Sequence, residues 1–596
     1  MATIRDHLEA RIAVPSNWST DGARLLVSSN LPGTMQLYEL TLGGPMRPVT
    51  SEEEPVGGRY LPVSDRVLVH RDHRGNERHQ LYLATGSGQL EPLVMEPEWI
   101  HGPGGASRDG RLLAYRTNRR NGVDFDVVVR DLETGTERCV YADGGFAVAG
   151  SFSPDGAWLA VVKETEKSGD NEVYLIGIGT GEVIRVTPHD DDASSSGPAW
   201  LPDGSGFYFS TDIGRDVSAI AFYDMSRRRW DYVLEPGWEC HCAVDWAGRH
   251  LLVVANEEGL TRAELRDPRS LTLRAEVPLP GRGVAMAWTF SHDGRRLAFH
   301  HTSPLVPGDV WCLDTDSGAL SRLTNSPTSI AAESLVEPEL HRFPSFDGES
   351  VPVFLYRPRA SGRNGACPVA VVVHGGPEGQ ARPIWNPVAG YLVQRGYAVA
   401  VPNVRGSTGY GKRYQHLDDR RLRLDSVADL AALHDWLQAQ DGLDADRAAL
   451  YGGSYGGYMV LAGLTFQPER WAAGIDIVGI SSLVTFLENT SPYRRRVRER
   501  EYGFLDTDLD FLREASPLTH VDRLRAPLFI IHGANDPRVP LSEAEQLYAT
   551  LKDKGIRSEL LVYDDEGHGL QKLPNRLDAY PRAVDFLDEV LGVTTR

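Results

Sequence analysis

Gly452-Gly453-Ser454-Tyr455-Gly456 fits the pattern G-x-S-x-G, in which a serine sits on a sharp turn between strand and helix with its Oγ exposed. The apolar residues 447–451 read as the strand, and a helix is expected to start near Tyr455. Side chains two residues either side of the serine would collide where strand and helix converge, which accounts for both glycines. The pattern alone also describes a plain glycine-rich loop, so its partners decide. A serine nucleophile needs a base, and the base needs an acid to hold its tautomer. A predicted strand at 528–531 ends in His532-Gly533-Ala534-Asn535-Asp536-Pro537-Arg538, and another at 559–562 ends in Tyr563-Asp564-Asp565-Glu566-Gly567-His568-Gly569. Serine, acid and histidine in that chain order, each after a strand, form the α/β-hydrolase layout and select Ser454, Asp536 and His568. Asp564 and Asp565 share a loop with His568 and are badly placed to support it from behind. His532 precedes the acid and reverses the order.

Attack on a carbonyl also needs donors for the oxyanion, and losing one costs on the order of 100-fold in rate. One is expected from the backbone N–H of Tyr455. The other is expected from the loop His374-Gly375-Gly376-Pro377 after a predicted strand at 369–373. His374 reads as a brace for that loop. No metal or cofactor is expected: Cys240-His241-Cys242 has no second Cys/His pair nearby and reads as a strand with buried thiols.

These groups need a parallel sheet to carry them. Residues 369–373 are a β-branched run, as a strand buried on both faces requires. Strands are likewise expected at 397–401 and 474–478, with helices at 426–440 and 578–591. The first half is different. An Asp-Gly turn followed by an alternating strand recurs at Asp21, Asp109, Asp155, Asp203 and Asp293, with degenerate copies at Asp65 and Gly248, so that the seven positions in order are spaced by 44, 44, 46, 48, 45 and 45 residues. Seven copies at that period predict seven blades of a β-propeller. The expected organisation is an N-terminal segment, residues 1–13, packing on the hydrolase domain, then a propeller at 14–335 and an α/β-hydrolase domain at 336–596.

Composition narrows the partners. With 62 Lys+Arg against 82 Asp+Glu, the net charge of −20 disfavours nucleic acid and anionic membrane. The N-terminus lacks the apolar core of a signal peptide, and no apolar run is long enough to span a bilayer. Five cysteines, an odd number in a chain of 596 residues, suit a reducing cytoplasm.

A seven-bladed propeller followed by a hydrolase with Gly-Gly-Ser-Tyr-Gly-Gly-Tyr resembles the prolyl oligopeptidase family of serine peptidases. The segments at 374–377, 403–411 and 514–517 resemble most its acylaminoacyl-peptidase branch. That resemblance implies a serine peptidase acting on short or N-acylated peptides, with the propeller limiting substrate size. An aminopeptidase or a small amide/ester hydrolase on the same fold is the alternative, and a homo-oligomer stays open. It further implies that Gly376 is the second oxyanion donor and that Arg538 binds a substrate carbonyl. Val539 and Tyr458 would help wall the pocket for the residue before the cut, with Ile480 or Phe486 as weaker choices. The propeller's Glu52-Glu53-Glu54 run could grip a free N-terminus, and Arg494, Arg495, Arg496, Arg498 and Arg500 could hold a carboxylate. Both runs read more readily as solvated surface.

Overall fold

In the computed structural model, which describes residues 2–64, 66–85, 88–359 and 366–593, the first half of the chain forms seven four-stranded antiparallel sheets in sequence order. The period seen in the sequence has a local cause. In the first blade Ser19 Oγ donates to Asp21 Oδ1 at 2.6 Å, and the Ala23 N–H donates to the same oxygen at 2.9 Å. That closes the turn between the first two strands. The same serine–aspartate bond recurs at Ser107/Asp109, Ser153/Asp155 and Ser291/Asp293. The expected copy at Asp65 lies outside the described residues. Each blade is contiguous in sequence, so no strand is shared between first and last blades. Side chains bridge that seam instead: Trp18 Nε1 donates to the Thr289 carbonyl and Arg296 Nη1 to that of Gly22.

The second half is a mixed sheet of eight strands: β1 (Glu339–Pro344), β2 (Ser350–Tyr356), β3 (Cys367–Val373), β4 (Ala398–Pro402), β5 (Leu443–Gly453), β6 (Ala473–Ile477), β7 (Leu528–Gly533) and β8 (Ser558–Tyr563). Their order is β1-β2-β4-β3-β5-β6-β7-β8, with β1 and β2 antiparallel and β3 to β8 parallel. β3 and β7 are buried along their whole lengths, and each face of the sheet has its own apolar core. This is the α/β-hydrolase fold behind a seven-bladed propeller. β5 runs four residues further back than its apolar segment predicts, because Leu443 and Asp444 pair with Cys367 and Pro368 of β3. The short helix Ile4–Leu8, ahead of the first blade, buries Ile4 and Leu8 in the hydrolase core formed with Leu573–Leu591.

Polar contacts tie the two halves. Glu239 of the propeller accepts from the backbone of Gly409 and Gly411, and Arg342 pairs with Glu258 at 2.6 Å. The turn at 403–411 is therefore structural: Asn403 is fully buried, and Arg405 lies between Asp347 and Asp429. No helix among the described residues is long and apolar enough to cross a membrane.

Candidate active site

Three strand ends converge. β5 delivers Ser454 into the turn before the helix Tyr455–Phe466, with φ 59° and ψ −119°. A non-glycine residue held there costs on the order of 1–3 kcal/mol, which the surrounding structure must impose. Crowding imposes it. A Cβ on Gly452 would lie 2.3 Å from the Gly456 carbonyl oxygen, and one on Gly456 would lie 2.2 Å from that of Val373. Glycine is thus required at both flanks, as the motif predicts.

Ser454 Oγ donates to His568 Nε2 at 2.9 Å, and His568 Nδ1 donates to Asp536 Oδ2 at 2.7 Å. The other carboxylate oxygen, Oδ1, accepts from the backbone of Arg538 at 2.8 Å and Val539 at 3.0 Å. The acid is held at both ends. The competitors are occupied elsewhere. Asp565 pairs with Lys572 at 2.9 Å, and His532 donates to the Val539 carbonyl, with burial holding its pKa below the usual range. The histidine loop rests on buried Glu566, which accepts from the backbone of Gln571 and Lys572.

On the opposite side of the serine, the loop after β3 approaches closely enough that a Cβ on Gly375 would sit 3.4 Å from Ser454 Cβ. His374 is fixed by Ser407 Oγ at 2.9 Å, a bracing role. The N–H of Tyr455, first in its helix, has no intrahelical acceptor. Its side chain is locked: the hydroxyl reaches Asp418 at 3.1 Å, and the ring lies under the guanidinium of Arg423, itself paired with Asp418 and Glu501. This set can carry out acyl transfer with general-base assistance.

A cavity of about 540 Å³ opens on the propeller side of His568, lined by Arg538, Glu77, Asp72, Arg116 and Arg494 among others. Arg538 reaches it as expected, but its Nε also pairs with Glu77 at 2.5 Å, on a propeller loop. That loop, between strands Val67–Arg71 and Gln80–Ala84, touches the segment that carries His568. A Cβ on Gly567 would lie 1.9 Å from the Gly75 oxygen.

Other expectations meet a different structure. Tyr458 and Val539, with Ile480 and Phe486, do not line this cavity. All four are buried in the hydrolase core, where the Tyr458 hydroxyl donates to the Ala515 carbonyl. Packing demand on the elbow helix outweighs any pocket role there, and Val539 acts through its N–H on Asp536. The arginine run is not a solvated face either. On the helix Pro492–Tyr502, Arg494 lines the cavity, Arg496 pairs with Glu166 and Arg500 with Glu164 of the propeller. Within the acidic run, Glu52 pairs with Arg71 and buried Glu54 with Lys572, so neither is a free carboxylate. Glu77, Asp72 and Arg116 escaped the sequence reading. The one visible trace is the unusually charged loop at 72–79, longer than a tight hairpin turn.

A profile described as "Prolyl oligopeptidase family" matches residues 386–594, and one described as "TolB beta propeller domain" matches 67–262. Dipeptidyl aminopeptidase BIII of Pseudoxanthomonas mexicana is 28% identical, over 89% of this chain and 79% of its own. An acylamino-acid-releasing enzyme of Rattus norvegicus is 26% identical, over 38% of this chain and 32% of that enzyme. Among solved structures, a puromycin-hydrolyzing peptidase of Mycobacterium tuberculosis superposes with a TM-score of 0.88 at 23% identity, covering 100% of this chain and 97% of the other.

Proposed function

From the premise that this chain belongs to the prolyl oligopeptidase family and is a serine-type peptidase, we propose that it hydrolyses short, N-acylated peptides through an acyl-enzyme on Ser454. In this reading His568 takes the serine proton and returns it to the leaving amine, while Asp536 holds the histidine's tautomer and stabilises its charged form. Tyr455 and Gly376 supply the oxyanion donors, and Arg538 donates to a carbonyl on the acyl side.

The carrying observation is the unbroken hydrogen-bond chain from Ser454 through His568 to Asp536, opening on a cavity enclosed between two domains. Enclosure favours short peptides, because a folded chain cannot thread between propeller and sheet. The preference for a capped N-terminus rests on charge. Asp72 and Glu77 are the two carboxylates among the lining residues. Asp72 accepts from the Glu77 backbone at 2.8 Å, and Glu77 is spent on Arg538. That leaves Asp72 as the one lining carboxylate without an ion pair among the described residues, against four lining arginines. One observation favours the alternative, an aminopeptidase: the relative named a dipeptidyl aminopeptidase aligns over most of both chains. We further propose a reducing compartment, supported by five unpaired cysteines.

The test is kcat/KM on acetyl-capped and free-amine versions of the same dipeptidyl p-nitroanilide. Faster turnover of the capped substrate is expected. Strong preference for the free amine would transfer the assignment to the aminopeptidase reading.

A further inference from the structure

The cavity beside His568 holds four arginines, Arg71, Arg116, Arg494 and Arg538, against the two carboxylates of Asp72 and Glu77. Two of the four are accounted for: Arg538 by Glu77, and Arg71 by Glu52 at 3.4 Å. Arg116 and Arg494 are not. The Nε of each is buried without a hydrogen-bond partner, and neither forms an ion pair with any described residue. His70 and His79 add no further positive charge, since burial lowers both pKa values, His70 to about 4.

Both side chains are half-buried, and Glu164 beside Arg116 and Glu77 beside Arg494 act on them without forming an ion pair. Here the surroundings hold the guanidiniums in place rather than neutralise them. Arg116 lies 4.7 Å from the ring centroid of Phe146 and 5.4 Å from that of Phe125. The Phe125 ring in turn packs edge-on against Tyr493, the residue before Arg494, at 5.6 Å. A Cβ on Gly102 would lie 2.6 Å from Arg116 Nε, so the neighbouring strand leaves room for this side chain by having none of its own. Aromatic faces and a glycine floor orient a weakly hydrated planar cation while leaving its donors open. The chain as a whole carries −20, so this basic recess is a local feature and not an extension of the surface field.

We propose that Arg116, from the propeller, and Arg494, from the hydrolase domain, form a carboxylate-binding subsite, so that peptides bearing an acidic group are the preferred substrates. This rests on the peptidase reading above. Guanidinium and carboxylate match as two parallel N–H···O bonds, and in a recess between domains that pairing selects acidic over neutral peptides. The carboxylate can come from an acidic side chain on the acyl side of the cut or from the free C-terminus of the leaving peptide.

Substrate sets separate the two sources in the full-length protein. One set compares an acetyl-capped tri-alanine p-nitroanilide with versions carrying glutamate two or three positions before the cut. The other compares a capped tetra-alanine free acid with its amide. A wild-type preference of about tenfold or more in kcat/KM for the carboxylate-bearing member is expected in at least one set. Arg116→Gln and Arg494→Gln should each cut that acid-over-neutral ratio by about tenfold, with Arg→Lys at either position keeping more of it. Melting curves check folding, and the Lys variants carry the test if a Gln variant fails to fold. A preference in the anilide set assigns the acyl side; a preference confined to the second set assigns the leaving peptide. A wild-type ratio near one in both sets, or a ratio that neither variant moves, overturns the subsite while leaving the peptidase reading intact. No turnover of any capped substrate by the wild type overturns both.

Discussion

Arg538→Ala separates binding of the substrate from chemistry at the serine. The guanidinium sits two residues past Asp536 and opens on the cavity, yet its backbone N–H, which holds Asp536 Oδ1, survives the substitution. The triad geometry should therefore persist. Arg538 is 42% exposed and Glu77 22%, so their ion pair is worth roughly 0–1 kcal/mol, and its loss should barely move Tm. A charge-assisted bond to a substrate carbonyl is worth more, about 1.5–3 kcal/mol, or about 10- to 150-fold in kcat/KM. A short p-nitrophenyl ester lacks that carbonyl and should lose far less. Glu77→Gln frees the guanidinium without removing it, so acyl-peptide turnover should stay well above that of Arg538→Ala. Equal losses on peptide and ester, or a large fall in Tm, would refute the reasoning and leave Arg538 as a structural pairing of the two domains.

Asp536→Asn keeps an oxygen for the Arg538 and Val539 N–H groups but turns an amide donor toward His568 Nδ1, favouring the wrong tautomer. We expect kcat to fall by about 10⁴-fold with little change in Tm, and a loss of less than tenfold would contradict the role given to the acid. Asp476, buried beneath the elbow against Gly457 and Gly479, has its carboxyl pushed up to about 7 by burial. Its folded pKa lies above the unfolded one, so stability present below about pH 4 is lost as pH rises toward 7, by as much as about 4 kcal/mol. Asp476→Asn should therefore raise Tm relative to wild type at pH 8 and not at pH 4.5; a difference that does not change with pH would contradict this.

The legible parts of this protein were those written in local sequence. The blade period could be read because five of the seven repeats carry an Asp-Gly turn closed by local contacts, and Ser153/Asp155 shows the same bond as Ser19/Asp21. The elbow could be read because its glycine spacing is local, Gly452 being demanded by Gly456 four residues on, although Gly456 itself is demanded by the distant Val373 carbonyl. The inter-domain cavity could not. Glu77 and Arg538 are 461 positions apart, and nothing around either residue marks the other. Likewise Tyr458 looks like pocket lining in a motif that otherwise carries chemistry. Only the packing of its helix shows a core side chain with its hydroxyl committed to Ala515. The helix Pro492–Tyr502 misled in the opposite sense: a run of arginines resembles solvated surface until a second domain covers it and supplies Glu164 and Glu166.

The central claim is that Ser454 is the nucleophile of this fold, activated through His568. A fluorophosphonate probe tests it directly, since the reagent captures a serine only when a base raises its nucleophilicity. The account predicts one probe equivalent per chain, mapped to Ser454 by peptide mass, with labelling and peptide hydrolysis lost together in Ser454→Ala while the melting curve stays in place. Labelling at another residue, or hydrolysis that survives Ser454→Ala above a few per cent, would contradict it.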